Sequence, residues 1–150
     1  MFTGALDTLF AALRGNGVQV RYVAAAESDE VRRRCVGEAY LVPEARRYAS
    51  AWAMAEAAVA AELSIDVLTW TPSCKLLSSA RRGEREVVRR AARAELLDNL
   101  AAVWRVVESC RPMILAMEET VGLKTHHREL YEEVQEEVLS WGYEWRHGPV

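Results

Sequence analysis

The stretch IDVLTWTPSCKLLSSARR (residues 65–82) decides the fold class. Its first six residues are apolar or β-branched apart from one acid, the pattern of a short strand buried in a sheet. Pro72 then breaks the run, since proline cannot donate to a ladder, and Cys74 follows in the turn. Working outward, the same order of elements recurs. Upstream, VQVRYVAAA (18–26) alternates and then turns wholly apolar, stopping at Glu27-Ser28-Asp29, which can cap a helix over DEVRRRCVGEAY (29–40). The alanine-rich PEARRYASAWAMAEAAVAAEL (43–63) reads as helix throughout. Downstream, residues 84–110 keep apolar positions at three-and-four spacing and read as one long helix. RPMILAM (111–117) reads as a buried strand, and HHRELYEEVQEEVLSWG (126–142) as an amphipathic helix ended by Gly142. ALDTLFAAL (5–13) predicts a helix close to the N-terminus, and YEWRHG (143–148) a final strand.

Short apolar strands alternating with helices predict an α/β fold, with a mostly parallel sheet and helices on both faces. At 150 residues and 51% hydrophobic content the chain fits one domain with a real core. The net charge of −3 gives no global signal for nucleic acid or membrane. Three cysteines without CxxC spacing argue against a disulfide framework and a zinc site, so no metal is expected and a reducing, intracellular home is. No run is long and apolar enough to predict a membrane span.

Ligands of parallel α/β sheets bind beyond the carboxyl ends of the strands. Three such ends carry chemistry here: Glu27, the loop at Cys74, and the pair Glu118-Glu119. Lys75, Arg81 and Arg82 would favour the Cys74 thiolate, although a free cysteine is equally a common core residue. Cys35 and Cys110, both in predicted helices, read as core. A cysteine phosphatase loop has five residues between cysteine and arginine, whereas six separate Cys74 from Arg81. Cysteine proteolysis needs an oriented histidine, and nothing in the sequence orients His126, His127 or His147. A strand-end carboxylate such as Glu118 can be desolvated and its pKa raised, which would make it a proton donor; it can equally cap the next turn. Glu27 sits where nucleotide-binding folds hold ribose hydroxyls.

Taken together, these ends resemble the cytosine-5 DNA methyltransferases. TPSCKLLSSA keeps Pro72, Cys74 and Ser78 in step with that family's Pro-Pro-Cys-Gln-x-x-Ser pattern, and Pro112-MILAM-EETVGL puts Glu118 on its catalytic glutamate. EETVGLKTHHRELYEEVQEEVLSWGYEW (118–145) is similar to the fungal version of that region. VRYVAAAESD resembles the second motif, with Glu27 on the ribose of S-adenosylmethionine, and FTGALDTLFAAL the first, with Phe2 and Gly4 matching. The resemblance implies a Rossmann-like S-adenosylmethionine-dependent methyltransferase fold. Cys74 would be the nucleophile, Glu118 the proton donor, and Phe2, Gly4, Glu27 and Pro72 the cofactor site. Ser78, Arg81 and Arg82 would meet DNA carrying a flipped cytosine.

The chain departs from that pattern at several places. Leu6 and Asp7 stand where the first motif has glycines, Lys75 replaces a glutamine, and Glu119 an asparagine or glutamine. The resemblance covers only the first half of a catalytic core, so the fold is expected to be incomplete and a complementary C-terminal half is an expected partner. Two other readings stand beside the first: a non-catalytic module of the same fold that binds DNA or a protein, and a tRNA cytosine-5 methyltransferase.

Overall fold

The computed structural model describes residues 4–61, 63–72, 86–118 and 121–146. In chain order the elements are α1 (Gly4–Gly15), β1 (Ala25–Ala26), α2 (Glu30–Ala39), a 3₁₀ turn (Glu44–Arg46), β2 (Arg47–Tyr48) and α3 (Ala51–Ala61). They continue with β3 (Val67–Trp70), α4 (Glu86–Cys110), β4 (Ile114–Met117), α5 (Val121–His126) and α6 (Arg128–Ser140). The class is α/β. The described strands form two parallel pairs, β1–β2 and β3–β4, rather than one continuous sheet. The second pair is parallel because Ile114 N–H donates to the Asp66 carbonyl and Glu118 N–H to the Trp70 carbonyl, advancing together along both strands.

The chain divides into two compact units, the described residues of 1–69 with 101–116 and those of 70–100 with 117–150. In the first, β1 and β2 pair in register, Ala25 with Arg47 and Ala26 with Tyr48, and α2 and α3 both pack on the pair. α2 starts where Asp29 accepts the Arg32 N–H at 2.9 Å, satisfying a donor that the helix itself cannot. It ends in a Schellman turn, Val42 N–H to the Gly37 carbonyl and Leu41 N–H to the Glu38 carbonyl. Leu41 therefore sits at φ 55, the left-handed position that glycine usually fills, with its side chain 86% exposed. At the end of α1 the same pair of bonds closes on Gly17, at φ 78. Gly37 is closely approached: a Cβ there would displace the Arg47 side chain, whose Nε donates to the Val42 carbonyl at 2.8 Å. The core of this unit gathers Val42, Met54, Ala55 and Ala58 with Leu68 and the α4 residues Val103, Val106 and Val107.

In the second unit α5 packs on α6. Leu130, Val134 and Val138 recur every four residues and put one buried stripe on α6, while Leu96 and Leu100 do the same on α4. Arg93 grips Glu133 with two nitrogens, at 2.6–3.1 Å, though an exposed pair of this kind contributes on the order of 1 kcal/mol or less.

Four sequence expectations change. Residues 43–63 are not one helix. Pro43 precedes a single 3₁₀ turn, and Arg47-Tyr48 extend to pair with β1. Ser50 then starts α3 by accepting the Ala53 N–H at 3.0 Å. The strand at 18–26 shortens to Ala25–Ala26. β4 forms where expected, but Met113 and Ile114 are 77% and 45% exposed, so its entry is not buried. The described residues of 143–148 form no strand. The Trp145 indole instead donates to the Tyr131 hydroxyl at 3.2 Å and lies edge-on to that ring, tying the segment to α6.

Candidate functional site

Each strand pair ends in a glutamate held in the same way. In the first unit Glu27 follows β1, and its N–H donates to the carbonyl of Tyr48, the last residue of β2, at 3.0 Å. In the second, Glu118 follows β4, and its N–H donates to the carbonyl of Trp70, the last residue of β3, at 3.0 Å. That bond carries the parallel ladder one residue past the strand and fixes where each side chain leaves the backbone.

Around Glu27 the turn is heavily tied. Glu27 Oε1 accepts the Asp29 N–H at 3.0 Å and the Ser28 hydroxyl at 3.4 Å. Arg33, one turn into α2, reaches back so that Nη1 donates to the Glu27 carbonyl at 2.6 Å and to the Ser28 carbonyl at 3.4 Å. Asp29 caps α2, and the Arg32 N–H it accepts, helped by the charges of Arg32 and Arg33, holds its carboxyl below the usual range. Glu27 Oε2 receives no hydrogen bond from the described residues, so one carboxylate oxygen remains to accept from a ligand hydroxyl or amine.

At the other end the anchoring is by packing. Trp70 is 6% exposed and Pro72 is buried, while Thr71 between them is exposed. The Trp70 indole N–H is buried without an acceptor among the described residues. Glu118 is half-buried and engaged.

The Glu118–Trp70 bond brings Glu118 beside the end of β3 that leads to Pro72, joining two of the residues predicted for the site. Glu27 and Gly4 belong to the first unit. Gly4 is the first residue of α1, so Leu6 and Asp7 are already helical. Phe2, Cys74, Ser78, Arg81, Arg82 and Glu119 lie outside the described residues. Cys35, expected in the core, is exposed on α2. Its position leaves the buried helix face, on which Gly37 packs against Arg47, to other residues. Cys110 is half-buried, and burial pushes its thiol pKa up.

Sequence reasoning missed Arg33 and Trp70. Arg33 stood in an arginine run whose spacing from Glu27, six residues, places it one turn past the cap where it can reach back. Trp70 read only as a strand residue.

No helix among the described residues is long and apolar enough to cross a membrane, and no described group of three or more His, Cys, Asp and Glu could hold a metal ion. No family model, curated protein or solved structure matches the chain.

Proposed function

We propose that the chain is a cytosine-5 methyltransferase-like domain of Rossmann-like fold, in which Cys74 attacks the base and Glu118 handles the ring proton. The observation that supports this reading is the Glu118 N–H bond to the Trp70 carbonyl. It sets a glutamate at the end of one parallel strand beside the strand that runs into Pro72-Ser73-Cys74. Carbon 5 of cytosine is a poor nucleophile, and two groups relieve this. A thiolate adds to carbon 6, forming the C–S bond, while a glutamic acid donates its proton to ring nitrogen 3, so that the electron pair accumulates as an enamine at carbon 5. After the methyl group is gained, loss of the carbon-5 proton and expulsion of the thiolate, with the nitrogen-3 proton returning to the glutamate, restore the aromatic ring.

S-adenosylmethionine, when bound, supplies the electrophilic methyl group. The fit of the residues to it is tested at Glu27, where one carboxylate oxygen is tied down and the other accepts nothing from the described residues. That arrangement suits a ribose hydroxyl, so Glu27 is the residue that would hold the cofactor, and Phe2, Gly4 and Pro72 are proposed as its other cofactor residues. Ser78, Arg81 and Arg82 are proposed to meet the phosphates of a duplex whose cytosine is flipped out, at a cost of a few kcal/mol in unstacking.

A second reading, a non-catalytic module of the same fold, is favoured by one observation. Gly4, Leu6 and Asp7 all lie within α1, so the described part of the segment that resembles a glycine-rich cofactor loop is helix. One experiment separates the two. The protein, alone and with a complementary C-terminal half, is incubated with S-adenosylmethionine and a duplex containing 5-fluorocytosine. Fluorine blocks the final proton loss, so a catalytic domain is trapped as a covalent adduct that Cys74→Ser removes. Absence of adduct under every combination leaves the module reading.

A further inference from the structure

We propose that Arg33 is a positioning residue for the Glu27 carboxylate, locking the turn after β1 into the form that presents Oε2 to a ligand; the ligand assignment rests on the cofactor role proposed above, but the locking does not.

The turn has three donors trained on it from different places. The Asp29 N–H and the Ser28 hydroxyl hold Oε1 of Glu27. Arg33 Nη1 holds the carbonyls of Glu27 and Ser28, at 2.6 and 3.4 Å. Only the last comes from a rigid element one helical turn away. The Arg33 backbone is itself fixed, its N–H donating to the Asp29 carbonyl at 2.8 Å. α2 is fixed in turn by the Asp29 cap. Without the guanidinium, the Glu27 and Ser28 carbonyls would lose the side-chain donor that holds them, and the carboxylate would lose the geometry that lets Asp29 bind one oxygen. A charged, partly buried donor on a main-chain carbonyl is among the stronger hydrogen bonds a surface turn can make. Lysine offers the charge as a point rather than a fork, so Arg33→Lys restores the contact in part.

Two measurements test this. By NMR, the Asp29 amide proton of the wild type follows ionisation of the carboxylate it is bonded to; the relevant component of its pH titration is the part that Glu27→Gln removes. Arg33→Ala is expected to abolish that component and Arg33→Lys to keep part of it. Its persistence in Arg33→Ala would overturn the inference, whatever the protein binds. In the second measurement, S-adenosylmethionine is titrated calorimetrically. Arg33→Ala is expected to weaken binding about tenfold, and to have no further effect once Glu27→Ala is present, because it acts through that side chain. Additive losses would overturn it. A wild type that binds no S-adenosylmethionine refutes the proposed cofactor, and the amide titration then decides on Arg33 alone.

Discussion

The two strand ends are built alike in the backbone and differently in everything attached to it. Each carries a glutamate one residue past a parallel strand, with its N–H bonded at 3.0 Å to the last carbonyl of the partner strand. At Glu27 the side chain is then fixed by a local polar turn of Ser28, Asp29 and Arg33. Around Glu118 the neighbouring strand end is fixed by burial, with Trp70 and Pro72 packed away from water. A polar turn holds a carboxylate as a charged acceptor, which suits hydroxyl recognition. Under the proposed function one backbone device would serve two chemistries, hydroxyl recognition at Glu27 and proton transfer at Glu118.

The difference can be broken at several points. The largest loss of stability is expected in the second unit, which relies on packing. Leu96→Ala, at a position 2% exposed, should cost about 2–5 kcal/mol in denaturant unfolding; a cost below 1 kcal/mol would mean that this core is not what holds the unit. At the first end the proposed function puts the effect on binding. Glu27→Ala should weaken S-adenosylmethionine by about 1.5–3 kcal/mol, the worth of hydrogen bonds to a charged group, with little change in melting temperature. In the same unit, Leu41→Gly should stabilise the protein by about 1 kcal/mol, since it relieves a left-handed leucine whose side chain buries almost nothing. An unchanged denaturation midpoint would show the turn to be unstrained.

The smallest effect is electrostatic. The Asp29 pKa is lowered in the folded protein, chiefly by the Arg32 N–H. Its contribution to stability is therefore present above the ordinary carboxylate range and is lost as pH falls through the lowered folded value. Asp29→Asn, which still caps, should remove that part of the acid dependence in melts recorded from neutral pH downward, while carbon NMR of the wild-type carboxyl should show a midpoint below that of a free aspartate.

Much of this frame was legible in the sequence because its signals are local. The Asp29 cap, the apolar four-residue spacing of α6, the Gly142 stop at φ 89 and the β-branched run of β3 each act within a few residues. β2 was not legible, because Arg47 and Tyr48 are strand only by pairing with Ala25 and Ala26, more than twenty residues upstream, inside a segment whose alanines favour helix. The short α5 was hidden for want of length, at six residues. The placement of Glu27 and Glu118 at strand ends could be read from where apolar runs stop. Arg33 could not, since its role depends on a side chain crossing back over its own helix start.

The most direct test of the contrast between the two ends is the rate of adduct formation on a 5-fluorocytosine duplex in Glu27→Gln and Glu118→Gln, each followed as S-adenosylmethionine is raised to saturation. Glu27→Gln is expected to recover the wild-type rate at high cofactor, because it loses only binding. Glu118→Gln is expected to remain slower by about 10²–10⁴, the usual worth of a positioned general acid, at any cofactor concentration. Recovery of Glu118→Gln at saturation, or failure of Glu27→Gln to recover, would contradict the assignment of cofactor binding to the first end and proton transfer to the second.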